Sequence, residues 1–471
     1  MRTASLPRLL AIGLVAVTLL GCRAASAPAT QSSTSPTTAA TAGPTGATDE
    51  RSPLPGLDAE PSKAWLLIGK AGTADLKLIL STTAEEAFAV PAGSPRGSWE
   101  RVVTTTTEGV DTIVSDVLVQ PGGDGPKLRV PGRWRLPTVG LDPIPVGRSL
   151  DGTTIALVED RVYDRSAGRS RFAVLEHALQ DKPATSGEAP LRIVRVIELA
   201  GAFEYDTLSP SGDVLYVIQH LDAKDGGRYQ VRAIDVRTGV MRDGVIVDKA
   251  NPDERMSGSA IAQVRRPGGL VLTLYNGPEH PFVHALSSAE AWALCIDLPT
   301  GAAGDARASL DWGLAPTANG SAVYAVNATL GMVVDIDPSQ FAVRRSASIA
   351  TTAAAPASPA RGAADNIVLA KFGHAELGSA DRRVVLSPDG KMLFAAGANG
   401  IVAIRTVDLT VARRDLAGSA IDGLGITPDG NVVFALVRGK GRIVALDATT
   451  GKGLGTVPGS GYDRILAVAP W

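Results

Sequence analysis

From residue 63 to the C-terminus, short apolar runs alternate with clusters of Gly, Pro, Ser, Thr and Asp. The runs at 214–218, 392–395 and 432–437 are rich in β-branched and aromatic residues and are bounded by turn formers, a pattern that predicts strands. Each follows the same kind of turn: Ser209-Pro210-Ser211-Gly212, Ser387-Pro388-Asp389-Gly390 and Thr427-Pro428-Asp429-Gly430. Proline fixes φ at the first central position, and glycine accepts the positive φ that closes the turn. Degenerate copies stand at 149–152, 266–269 and 315–320, again before apolar runs at 154–158, 270–274 and 322–326.

A second motif, D-x-x-T-G, occurs at Asp235-Val236-Arg237-Thr238-Gly239, Asp297-Leu298-Pro299-Thr300-Gly301 and Asp447-Ala448-Thr449-Thr450-Gly451. An Asp side chain bonds backbone groups just downstream and Gly takes the left-handed corner. Each copy is therefore expected to be the hairpin between the third and fourth strands of a four-stranded unit. The order turn, strand, strand, hairpin, strand recurs at roughly 40 to 70 residues per unit, the layout of a propeller blade. Carried by these two motifs, the chain resembles the YVTN-type and WD-like β-propeller repeat families over residues 62–471. The Gly-His and Trp-Asp signature of true WD repeats is absent. The expected fold is all-β, a single propeller of seven or eight four-stranded blades, with eight preferred. Turns near 95, 149, 210, 267, 316, 388, 428 and 470 give eight; an irregular excursion over 99–137 would give seven.

The two ends of the repeat region are complementary. The last residues, Asp463 to Trp471, match an innermost strand with nothing after it, while 64–68, 76–80 and 86–90 read as three strands lacking an innermost one. The C-terminal strand is expected to join the N-terminal blade and close the ring, which removes the exposed sheet edge. A single domain over 63–471 follows, because one blade is too small to stand alone.

The first 62 residues follow a different rule. Arg2 and Arg8 flank an uncharged apolar stretch at 9–20, too short to span a bilayer as a mature helix. It ends in Leu19-Leu20-Gly21-Cys22, which resembles the lipobox of bacterial lipoproteins. The resemblance implies a signal peptide over 1–21, lipidation (palmitate among the acyl groups) at Cys22, and attachment outside the cytoplasm in the cell envelope. Residues 22–62 are Ala, Ser, Thr, Pro and Gly with almost no large apolar side chain, and read as a flexible tether.

Composition narrows the partners. The 471 residues carry 46 Lys+Arg against 48 Asp+Glu, a formal charge of −2; losing Arg2 and Arg8 leaves −4. Phosphate recognition needs a basic excess, so nucleic acid is excluded as a partner. Two cysteines rule out a disulfide scaffold and a cysteine-built metal cluster. With Cys22 lipidated, Cys295 reads as a buried small hydrophobe.

The chain contains no G-x-S-x-G, no P-loop and no D-x-D-x-D-G calcium loop. The strands ending at Asp235 and Asp447 loosely resemble quinoprotein repeats, but the tryptophan that docks neighbouring blades in those repeats is missing. His280 and His284, with Glu279, form the only histidine cluster. If extended, they would share a face and could approach a metal. Pro278 and Pro281 favour a structural loop, and the segment resembles a loop of secreted actinobacterial-style propellers. Asp116, Glu204, Asp206 and Asp311 are carboxylates that could face a channel, but nothing in their spacing singles them out, and solvation or turn-capping is the preferred reading. The stretch 351–380, with Lys371, His374 and Glu376, is a long insertion in one blade, either a disordered loop or a lid.

No catalytic, metal or cofactor residue is assigned; Cys22 is the single assigned site. The expected function is that of an envelope-anchored lipoprotein, a monomer touching the membrane only through its lipid. Its propeller binds a protein, peptide or glycan. A lactonase- or lyase-like propeller enzyme is the alternative, and a further one is an assembly factor resembling the eight-bladed lipoproteins of outer-membrane assembly machines.

Overall fold

The computed structural model describes residues 63–70, 76–90, 93–95, 101–108, 111–120, 127–136, 143–159, 168–176, 192–221, 228–252, 256–277, 279–300, 308–350 and 382–470. The stretches expected to be a signal peptide (1–21) and a tether (22–62), with Cys22, and the 351–380 stretch lie outside them. Apart from the short 3-10 turns Pro267–Gly269 and Ala308–Leu310, every regular element described is a strand.

The chain opens with β1 (Ala64–Lys70), β2 (Leu76–Leu80) and β3 (Glu86–Val90). Sheets then follow in sequence order. The second blade is β4 (Gly93–Pro95), β5 (Arg101–Glu108), β6 (Asp111–Gln120) and β7 (Lys127–Leu136). The third is β8 (Pro143–Arg148), β9 (Thr154–Glu159), β10 (Arg169–Glu176) and β11 (Arg192–Ala200). The fourth has three strands, β12 (Ala202–Leu208), β13 (Val214–His220) and β14 (Tyr229–Asp235). The fifth is β15 (Ser259–Arg265), β16 (Leu270–Asn276), β17 (Pro281–Ser287) and β18 (Trp292–Asp297). The sixth is β19 (Trp312–Pro316), β20 (Val323–Asn327), β21 (Met332–Asp337) and β22 (Ala342–Ser348). The seventh is β23 (Val384–Leu386), β24 (Met392–Gly397), β25 (Gly400–Arg405) and β26 (Val411–Asp415). The eighth is β27 (Ile421–Ile426), β28 (Val432–Val437), β29 (Arg442–Asp447) and β30 (Gly453–Thr456). The last strand, β31 (Tyr462–Pro470), pairs antiparallel with β1 and completes the first blade in the order β3-β2-β1-β31. The protein is thus an eight-bladed β-propeller whose ring is closed by its C-terminal strand. The excursion that would have reduced the count to seven is a regular blade.

The inner strands lie against one another at blades 2/3, 3/4, 5/6, 6/7, 7/8 and 8/1. Between the sheets the packing is apolar. Val432, Phe434, Ile443, Ile465 and Val468 fill the wedge between blades 8 and 1, and Phe394, Ile401, Leu424 and Val433 fill that between blades 7 and 8. Burying one such side chain fully contributes about 1.5–3 kcal/mol, so the ring is held mainly by these wedges.

The turn motif acts as read, with an addition. Gly212, Gly390 and Gly430 have φ between +73° and +78°. The Ser or Thr that opens each turn also accepts the backbone N–H five residues on: Val214 to Ser209 Oγ at 3.0 Å, Met392 to Ser387 Oγ at 2.9 Å, and Val432 to Thr427 Oγ1 at 3.0 Å. Ser149 and Thr317 do the same at the degenerate copies. The hydroxyl thus locks the first residue of the following strand.

The D-x-x-T-G motif makes the expected third-to-fourth-strand hairpin at Asp447; at Asp235 it makes the same turn after the third strand, but the chain beyond meets β14 only through the isolated bridges Ile234↔Met241 and Val231↔Ile246. Asp235 and Asp447 each accept from the N–H and hydroxyl of the motif threonine and end a third strand. The copy at Asp297 is a correction. Asp297 ends β18, the fourth strand of its blade, and the third-to-fourth hairpin there is formed by residues 288–291. The spacing is a turn signal without a fixed place in the blade.

These hairpins also receive an arginine from the preceding blade. Arg195 of β11 donates to Arg237 O, Arg345 of β22 to Thr406 O and Val407 O, and Arg413 of β26 to Ala448 O and Thr449 O. Asp335 orients Arg345, and Asp415 orients Arg413. A planar guanidinium can fork onto two carbonyls at once, which suits it to clamp one blade to the next.

Candidate functional site

All inner strands run the same way, so the residues at their starts share one rim of the central channel. Asp311 precedes β19, Arg383 precedes β23, Asp422 is the second residue of β27, and Arg438 follows the neighbouring strand β28. Arg383 Nη1 is 3.2 Å from Asp311 Oδ1, and its Nη2 is 4.0 Å from Asp422 Oδ1. Arg438 Nε donates to Asp422 Oδ1 at 2.6 Å, with its Nη2 3.9 Å from Asp311. Thr329 Oγ1 donates to the other Asp311 oxygen at 2.7 Å. The Arg383 side chain is only 3% exposed. Two carboxylates and two guanidiniums from blades 6, 7 and 8 thus neutralise each other.

Glu204 and Asp206 lie on β12, the inner strand of blade 4. Glu204 Oε1 is 3.0 Å from His220 Nε2 at the end of β13. Asp206 is fully buried and accepts from Gln263 Nε2 at 3.0 Å; the same amide nitrogen donates to Thr273 Oγ1 at 3.0 Å. A row of facing residues crosses blade 5: Gln263 opposite Thr273, Thr273 opposite His284, His284 opposite Cys295. Across from it, Tyr229 of blade 4 stacks on Tyr275 of blade 5 with centroids 4.8 Å apart, and Tyr275 meets the His284 ring edge-on at 6.3 Å.

The structure therefore separates the histidines that the sequence grouped. His280 turns to Asp297, at 2.9 Å, and Glu279 is exposed. His284 is 1% exposed, between blades 4 and 5. Among the described residues no three His, Cys, Asp or Glu groups are placed to hold a metal. Cys295 is partly buried, its N–H bonded to Asp248 Oδ2 at 3.1 Å, so it is less enclosed than expected. Asp116 lies on β6, the third strand of blade 2 and not an inner strand. Lys371, His374 and Glu376 fall outside the described residues.

Sequence reading missed Arg383, Arg438, Asp422, Gln263, Tyr229 and Tyr275. The available signal was local: a charged pair, Arg382-Arg383, directly before the apolar run of β23. Which acid it meets depends on blades far away in sequence.

Burial pushes the His284 imidazole down to about 4, with Asp248 pulling weakly the other way. Between pH 6.5 and 4 the unfolded chain binds a proton that the folded chain refuses, so stability falls as pH drops through that window. Above pH 6.5 both states are neutral and the term vanishes; below pH 4 it levels off. The full loss is roughly 3 kcal/mol. Urea unfolding at pH 7.5 and pH 4.5 should show this slope, and His284→Gln should flatten it. An unchanged slope in the variant would remove His284 as its source.

No family model matches this chain, and no curated protein matches it. Solved structures do resemble it. Apo AztD from Citrobacter koseri is 11% identical, with 86% of this chain and 98% of that one covered at a TM-score of 0.47. The Cps50 (Swd1) β-propeller domain of Myceliophteria thermophila is 11% identical over 69% of this chain and 88% of that one, at a TM-score of 0.36. Dihydro-heme d1 dehydrogenase NirN is 13% identical over 87% of this chain and 75% of that one, at 0.46. The assignment to the β-propeller class rests on the strand pairing itself.

Proposed function

We propose that the chain is a cell-envelope lipoprotein, held by a lipid on Cys22 and the tether over 22–62, whose propeller rim binds a protein, peptide or glycan. The observation that supports this most is the Asp311–Arg383–Asp422–Arg438 network. Rim carboxylates already matched by guanidiniums are poor cation ligands. They do fix three blades as a rigid platform, which lowers the ordering cost of binding a large partner. A photo-crosslinker placed on this rim should give discrete adducts with envelope components, and one placed on the opposite rim should not. Equal or absent labelling at both rims overturns the reading. Anchoring has a separate measurement: Cys22→Ser should shift nearly all of the protein from the membrane fraction to the soluble one, and firm membrane association in the variant refutes the lipid anchor.

One observation favours the lactonase- or lyase-like alternative. Glu204 and His220 form a sheltered carboxylate–imidazole pair at the same rim, an arrangement suited to proton transfer. Turnover of lactones or uronate glycans that disappears in Glu204→Gln would support it; a lack of turnover on both classes discards it.

A further inference from the structure

The charges of the rim do not balance. Asp311 and Asp422 are matched by Arg383 and Arg438, and Asp463, at the start of β31, lies 3.3 Å from Arg464 Nε. Arg382, next to Arg383 and ahead of β23, is left over. Its backbone is held, because its carbonyl accepts the Leu424 N–H of β27 at 2.7 Å. Its guanidinium is not: among the described residues it makes no hydrogen bond, ion pair or ring contact. Burial lowers this guanidinium below its ordinary range with no acid opposing the shift, yet the residue keeps partial contact with solvent. A charge surrounded by protein that water still reaches lines a recess, and the start of an inner strand puts that recess at the channel mouth.

We infer that Arg382 anchors an oxyanion group, a carboxylate or a phosphate, on the ligand that enters the channel mouth. The inference rests on the binding reading above and gives that ligand a charge. Two features carry it. First, three arginines stand against two aspartates where blades 6, 7 and 8 meet, so one positive charge lacks a counterpart. A charge taken partly out of water without an acceptor is costly, and an incoming anion removes that cost. Second, the enclosed Nη1 and Nη2 of Arg383 face their acids at 3.2 and 4.0 Å without an aligned hydrogen bond, so the neighbouring guanidinium also has donors to spare.

The chemistry of the group selects the ligand class. A guanidinium is planar, stays charged, and offers paired N–H donors that match a carboxylate or a phosphate in a two-pronged contact. A recess with protein walls focuses the field of the unmatched charge and disfavours cations there. The chain as a whole is slightly acidic, so the preference for an anion is local to this mouth.

The test is calorimetric titration of the full-length protein at pH 7.5 with D-glucuronate, with inorganic phosphate and with neutral D-glucose, at an ionic strength held constant with sodium chloride. Binding of at least one anion, tenfold or more tighter than glucose, is expected. The tighter of the two anions names the group. Arg382→Met keeps the apolar stem and should weaken anion binding at least tenfold, while Arg382→Lys, which keeps the charge, should lose less. Thermal unfolding without added anion separates an anchor from a structural arginine. An unmatched charge contributes nothing to holding the ring, so the midpoint of Arg382→Met should stand at or above that of the native chain. A lower midpoint, no binding of either anion at millimolar concentration, equal binding of glucose, or undiminished binding in Arg382→Met overturns the inference. Rim-specific envelope adducts without anion binding defeat this inference alone; anion binding without such adducts defeats the envelope-partner reading alone.

Discussion

A chain ending at Gly461 will not form a stable ring. β31 supplies the innermost strand of blade 1, pairing with β1 from Ala64↔Pro470 to Lys70↔Tyr462. Both of its faces are buried: Ile465 and Val468 in the wedge with blade 8, and Leu466, Ala467 and Ala469 on the opposite face. Losing these contacts forfeits on the order of 10 kcal/mol of apolar burial, comparable to the whole stability of a typical domain. It also leaves β1 with an unpaired edge. The expected result is aggregation on expression, or a species without cooperative thermal unfolding. A synthetic peptide spanning 460–471 should restore solubility and cooperativity when added during refolding. A soluble truncated chain that melts like the full one would show that closure is dispensable.

The second large effect is expected at Asp311. Its Oδ1 faces Arg383 and Arg438, and its Oδ2 accepts from Thr329. Arg383 is almost completely enclosed, so among the described residues Asp311→Ala leaves it with only Asp422, at 4.0 Å. Breaking a buried pair by removing one partner costs about 3–5 kcal/mol. Removing both charges costs less, because the stranded guanidinium is no longer there to desolvate. The double variant Asp311→Ala/Arg383→Met should therefore be more stable than Asp311→Ala alone. Denaturant unfolding of the four proteins in this cycle measures the coupling. A double variant losing the sum of the single losses would mean that the two residues do not act as a pair.

Much of the fold was legible because its rules are local. A Pro at the turn and a Gly with positive φ act within four residues, and period and length separate strand from helix without knowing any neighbour. Eight such turns, plus an orphan strand at one end and a missing strand at the other, specify eight blades and their closure. The misread copy at Asp297 shows the boundary of that logic. The turn it encodes is real chemistry, but its place in the blade is set by which strands precede it.

The candidate site was less legible. Glu204, Asp206, Asp311 and His284 were singled out, but their partners lie in other blades, and Gln263, Arg383 and Arg438 read in isolation as ordinary polar residues. The grouping of His280 with His284 failed because the chain bends just before β17, sending one ring to Asp297 and the other into the interior. The arginine clamps were missed for the same reason: Arg345 and Val407 are 62 positions apart, and only the stacking of blade 6 on blade 7 makes them neighbours.

By itself, then, the sequence determined the strands, the turns, the repeat and its circular complement, since these follow from backbone conformation and side-chain period over a few residues. The tertiary structure alone decided which rim charges cancel, and that Asp206 of blade 4 meets Gln263 of blade 5. Electrostatic pairing and burial depend on distance in space, which a linear pattern does not carry.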